Sequence, residues 1–123
     1  MANITEKEVL NGILDDLGIL NNRGISTWIV TATGDNAIAT ATKAAEAGKS
    51  HYVVAISATY NDSTINNLVA LKDGANTVGN FHVGNIVFSK PLKLTAGNAV
   101  SVSLPASGTL GKIGAVTLVG FTI

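Results

Sequence analysis

The stretch His51–Tyr60, HYVVAISATY, decides how the chain is read. Its Val, Ile, Thr and Tyr residues suit a pleated, half-buried surface. Strand side chains alternate between faces. Tyr52, Val54, Ile56, Ala58 and Tyr60 are therefore expected on one side, and His51, Val53, Ala55, Ser57 and Thr59 on the other. Asn61-Asp62-Ser63-Thr64 ends the run with turn-forming residues. The segment Ile113–Ile123 reads in the same way. It places Ala115, Val119, Phe121 and Ile123 on one face and Val116 and Leu118 on the other. A strand apolar on both faces is usually covered on both sides. A facing sheet supplies one cover; an N-terminal helix, a loop or a neighbouring subunit would supply the second. No polar tail follows Ile123, so this strand is expected to be tied into its sheet.

Outward from these two stretches, the pattern predicts further strands at Ile25–Thr33, Ala37–Lys43, Asn67–Lys72, Thr77–Val83, Asn85–Phe88 and Ala99–Leu104. Gly34-Asp35-Asn36 reads as a turn and Ala44–Ser50 as a polar loop. Asp73-Gly74 between apolar runs is a hairpin signal. Pro91 marks an edge or a loop. Pro105–Gly111 reads as a loop. About eight short strands at near-regular spacing make the pattern of an antiparallel β-sandwich or barrel.

Residues 1–24 read differently. Thr5 and Glu8 form a capping-box pair, and Ile4 with Val9 fits a hydrophobic staple. Val9, Leu10, Ile13, Leu14 and Leu17 follow helical spacing and make one apolar stripe. Gly18 suits the residue after a helix end. So short a helix is marginal alone, and its stripe must dock on something. Ile19–Gly24 is the linker. The division is thus an N-terminal helical arm at 1–24 and a β-sandwich domain at 25–123.

Composition narrows the function classes. Eight Lys and Arg balance eight Asp and Glu, and charged residues make up 13% of 123 residues, against about 25% for an ordinary soluble domain. A zero net charge argues against a nucleic-acid binder. The chain has no cysteine, hence no disulfide framework, thiolate nucleophile or zinc–thiolate site. No apolar run approaches a membrane-spanning length, and MANITEKEVL lacks the order of a secretory signal. Weak charge leaves a surface poorly defended against association. A low-charge monomer is one reading; a subunit covered by other subunits is the favoured one. The charge is also divided. Residues 1–18 hold Glu6, Glu8, Asp15 and Asp16 against Lys7, a balance of −3, and the remainder is +3.

Chemistry is sparse. Asp35, Asp62 and Asp73 sit in turns, without EF-hand spacing. His51 and His82 make no helical metal pair, so no metal or other cofactor is expected. Gly48-Lys49-Ser50 precedes a strand rather than a helix, and Lys43 stands where a phosphate-binding loop needs glycine. No catalytic residue is assigned and the chain is not expected to be an enzyme; His51 or His82 beside an acid in a deep pocket would revive that reading. Trp28, Tyr52, Tyr60, Phe81, Phe88 and Phe121 are spread over different strands, as core or interface packing requires.

The segment Pro91–Leu104, PLKLTAGNAVSVSL, resembles the L-x-A-G-x-x-V turn of jelly-roll subunits. It is similar to tumour-necrosis-factor-like domains and to viral structural proteins. With His51–Tyr60, Leu71-Lys72-Asp73-Gly74 and the closing GAVTLVGFTI, residues 25–123 look like the small β-sandwich virion proteins of tailed phages. The resemblance implies a jelly-roll capsid cement or decoration subunit, assembled in the host cytoplasm and placed on the capsid exterior. It implies the major capsid protein lattice as partner and a homo-oligomer, a trimer first and a dimer second. Arm docking is expected from Val9, Leu10, Ile13, Leu14 and Leu17, and a subunit interface from Val119, Phe121 and Ile123. The alternative is a receptor- or glycan-binding module of a tail or head fibre, with Tyr60 and Asp62 in its ligand loop.

Overall fold

The computed structural model describes residues 25–123; the arm expected over 1–24 lies outside them. Eight strands run in order: β1 Ser26–Asp35, β2 Ala39–Lys43, β3 His51–Tyr60, β4 Leu68–Asp73, β5 Asn76–His82, β6 Gly84–Lys93, β7 Val100–Leu104 and β8 Ile113–Thr122. They form two antiparallel four-stranded sheets, β1-β8-β3-β6 and β2-β7-β4-β5. The two sheets share one core, making a β-sandwich with no helix among the described residues.

The alternation read from the sequence builds the core. β8 turns Val116 and Leu118 inward and leaves Ala115, Val119 and Phe121 half-buried on the other side. β7 contributes Val100, Val102 and Leu104, β4 contributes Val69 and Leu71, and β2 contributes Ala39 and Ala41. Small residues on β2 let its sheet approach the larger side chains opposite. Ile123 exchanges two backbone hydrogen bonds with Ser50, each of 3.1 Å, so the last strand is tied into its sheet.

β3 departs from the expected strict alternation. Its register against both β6 and β8 shifts between Val53 and Ala55. Against β8 one extra residue, Val54, re-phases the strand, as a bulge does, while against β6 the partner moves from Leu92 to Val87, leaving residues 88–91 opposite it. His51 and Val53 point inward before it, and Ile56, Ala58 and Tyr60 after it. The single face proposed for Tyr52 through Tyr60 is therefore split: Tyr52 faces out with Ala55 and Ser57. β6 is longer than the Asn85–Phe88 run expected, and Pro91 lies inside it. β6 is an edge strand, where the missing N–H of proline costs no ladder bond on the open side. The β4–β5 hairpin turns through Gly74 and Ala75, with Gly74 at φ +60°. Glycine at the first turn position matches a two-residue type II′ hairpin.

Candidate functional site

The outer face of the β1-β8-β3-β6 sheet carries the most distinctive surface. Pairing places Ile29, Val119, Ala55 and Val87 in one row across all four strands. The next row is Thr27, Phe121, Tyr52 and Lys93. Tyr52 and Phe121 stack with ring centroids 4.8 Å apart and an interplanar angle of 7°. Ile29 is 69% exposed and Val87 75%, so the first row ends in open apolar groups on both sheet edges. Thr27, Trp28, Ile29, Val54, Val119 and Phe121, with Gly120 as floor, line a shallow groove of about 490 Å³. The other half of this face is polar. Its row is Thr31, Thr117, Ser57 and Asn85, with Ser57 Oγ donating to Asn85 Oδ1 at 2.6 Å.

A buried polar cluster supports the apolar half from below. His51 is fully buried; its Nε2–H donates to the Ala44 carbonyl at 2.8 Å, since a carbonyl can only accept. Its Nδ1 then accepts from the Thr122 hydroxyl at 2.7 Å, and Thr122 Oγ1 accepts from Trp28 Nε1–H at 2.9 Å. The Trp28 ring meets His51 edge-on at 5.7 Å. Every polar group in the cluster has a partner, so this histidine is structural, as a satisfied local hydrogen bond in a strand would make it. Trp28 also lies over Gly120, where an added Cβ would collide with the Tyr52 carbonyl oxygen and fall 2.6 Å from the indole ring.

Of the interface residues expected from sequence, Val119 and Phe121 lie on the apolar half-face, and Ile123 follows directly after β8, 49% exposed. The arm residues Val9, Leu10, Ile13, Leu14 and Leu17 lie outside the described residues. Tyr60 and Asp62 sit at the opposite end of the sandwich. Tyr60 is 6% exposed; its hydroxyl donates to the Pro105 carbonyl at 2.7 Å and accepts from Asn67 Nδ2 at 2.9 Å. Its ring therefore offers no open platform. Asp62 Oδ1 accepts from the Thr64 hydroxyl at 2.6 Å and the Thr64 N–H at 2.9 Å, and Lys112 stands 3.5 Å from Oδ2. The Thr64 hydroxyl and N–H, with Lys112 behind them, hold its carboxyl below the usual value against a smaller effect of burial.

Asp73 is used in a similar way. It accepts from the Thr95 N–H and hydroxyl and from Asn98, tying the β6–β7 loop to the β4–β5 hairpin. Burial, its largest single influence, acts upward, but the bonds from Thr95 and Asn98 together bring its carboxyl below the usual value. Among the described residues no group of three or more His, Asp and Glu is placed to hold a metal. Ile38 and Leu110 are exposed in loops at the end away from Ser26.

Tyr52, Val54, Ala55, Ile29 and Val87 are the site residues the sequence did not single out. Local alternation could have turned Ile29 outward beside Thr27 and Thr31. The row that joins it to Val87 exists only through pairing between distant strands. Comparison with family models, with curated proteins and with solved structures finds no match.

Proposed function

We propose that this chain is a structural virion subunit of the capsid cement or decoration type, non-catalytic and built as a jelly roll. The strand order β1-β8-β3-β6 facing β2-β7-β4-β5 supports the jelly-roll part of this reading, a fold found in viral capsid and lectin domains. The observation that carries the function is the apolar half-face. Contiguous apolar surface rimmed by polar residues marks an interaction site, whereas the carboxylates and histidine with described partners are committed inside the fold. Such a subunit works by adhesion. It lies on the capsid exterior, joins neighbouring subunits of the major capsid lattice and raises the cost of rupture. A partner present at a hundred times its dissociation constant adds about 2.7 kcal/mol to the bound state. The subunit is a homo-oligomer, with a trimer as the first order to test and a dimer as the second.

The glycan-binding alternative drew on Tyr60 and Asp62, whose side chains are engaged within the fold. The structural reading is therefore the one pursued. The test is co-sedimentation of the full chain with expanded phage capsids, followed by a density map of the decorated particle. The expected result is exterior density at repeated lattice positions, lost with Ile29→Lys or Val87→Lys. A chain that is strictly monomeric in light scattering and fails to bind capsids ends this reading.

A further inference from the structure

We infer that the apolar half of the β1-β8-β3-β6 outer face is the docking site for residues 1–24 of the same chain. The inference concerns the free subunit and does not need a capsid. It joins two halves of an unsolved pairing. The half-face has open apolar groups at Ile29 and Val87 on opposite sheet edges. The sequence of residues 1–24 has an apolar stripe, Val9, Leu10, Ile13, Leu14 and Leu17, that a short helix must bury to persist.

Size and connection agree. Three spacings of about 4.8 Å make the four-stranded face about 14 Å wide. A helical stripe from Val9 to Leu17 would be about 12 Å long. β1 begins at Ser26, and its next residues, Thr27, Trp28 and Ile29, line the groove. The seven residues 19–25 can span up to about 24 Å, enough to reach any part of the patch. So short a tether holds its segment at a millimolar effective concentration, which favours the same chain over a neighbour's.

Charge agrees as well. Residues 1–18 carry −3. Lys93 stands in the Tyr52 row, and exposed Lys49 precedes Ser50, the partner of Ile123. At the far end of the sheet Asp35 pairs with Ile113, and Asp62 is already matched by Lys112 at 3.5 Å. The acidic segment thus meets Lys93 and Lys49 beside the apolar half. In the free subunit the face would then have an occupant from its own chain.

The absence of cysteine makes a clean test. The full-length double variant Leu14→Cys/Val87→Cys is oxidised mildly and run on a non-reducing gel, with Leu14→Cys/Thr40→Cys as the control on the opposite sheet. Ile13→Cys replaces Leu14→Cys in a second pair, so that one badly aimed thiol does not decide the result. The expected result is an intrachain disulfide to Val87→Cys formed at least about tenfold faster than to Thr40→Cys. Equal rates to both positions overturn the inference. Interchain disulfides, formed equally when the two single variants are mixed, also overturn it by assigning the face to a neighbour's segment. Capsid binding is read separately: a crosslink without capsid binding sinks the cement role alone, and capsid binding without a crosslink sinks this inference alone.

Discussion

The two outer faces of the sandwich are built by the same alternation and finished differently. On the β2-β7-β4-β5 sheet, one row is Thr40, Ser103, Ala70 and Asn80, and the next is Thr42, Ser101, Lys72 and Thr77. Thr40 and Ser103 hydroxyls bond to each other at 3.0 Å. Leu68, beside His82, and Val78, at the register shift opposite Leu71 and Lys72, are the apolar exceptions. On the β1-β8-β3-β6 sheet, the corresponding rows carry Ile, Val, Ala and a stacked Tyr–Phe pair. Thr and Ser supply strand-compatible side chains that water can satisfy; Ile and Val fit a strand equally well but leave apolar area open. Strand propensity is met on both faces, so the apolar finish of one is not required by folding.

That contrast can be broken most severely from beneath. Gly120→Ala would drive a methyl group into the Tyr52 carbonyl and the Trp28 ring. A loss of about 3 kcal/mol, the upper end for overpacking, is expected in urea unfolding. Thr122→Val removes the acceptor of Trp28 and the donor to His51 while keeping the shape. Two buried groups lose partners, and a loss of about 2 kcal/mol is expected by the same measurement. If either variant unfolds like the parent, the groove does not depend on its floor as described.

Surface exchanges should leave stability nearly untouched and move association instead. Ile29→Thr with Val87→Thr should change unfolding free energy by no more than about 0.5 kcal/mol, yet weaken self-association and capsid binding in sedimentation velocity. The reciprocal pair, Thr40→Val with Ser103→Val, removes both members of one exposed hydrogen bond, which is close to neutral. It should make the second sheet adhesive. Unchanged sedimentation for both pairs would show that the difference between the faces has no consequence for binding.

The smallest expected effect is acid sensitivity. Asp62 and Asp73 have folded-state values below the ordinary 3.8. Carboxylates lowered on folding contribute stability that is fully present above the unfolded value and lost as pH falls through the folded one. Urea midpoints should therefore be flat above about pH 5 and drop below about pH 4, with a shallower drop in Asp73→Asn. Because neither carboxylate lies in the apolar rows, the difference between the faces should survive to the onset of this drop.

Much of this was legible locally. β3 has the bounds its sequence suggested, and β8 shows the inward and outward sets read from alternation. The Asp73-Gly74 signal marks a real hairpin, and Pro91 an edge strand. These features depend on side-chain parity and turn chemistry, which are written within a few residues. The extra residue at Val54 was not legible, because Val suits either face and only the register against two neighbours shows it. The Ile29–Val87 row was not legible for the same reason: it crosses four strands scattered along the chain. Tyr60 drew attention as an aromatic beside a turn, but its hydroxyl partners, Pro105 and Asn67, are distant or lie across a loop.

The bulge at Val54 also decides where β3 can lose a residue. Without Val54, the residues paired with Gly120 and Val119 would be adjacent, so His51 and Val53 would stay inward, Tyr52 and Ala55 would stay outward, and the strand would alternate strictly. A deletion elsewhere in β3 removes no spare residue and would exchange inside and outside between that point and the bulge. The length of β3 should therefore be less constrained at Val54 than at any other position of the strand.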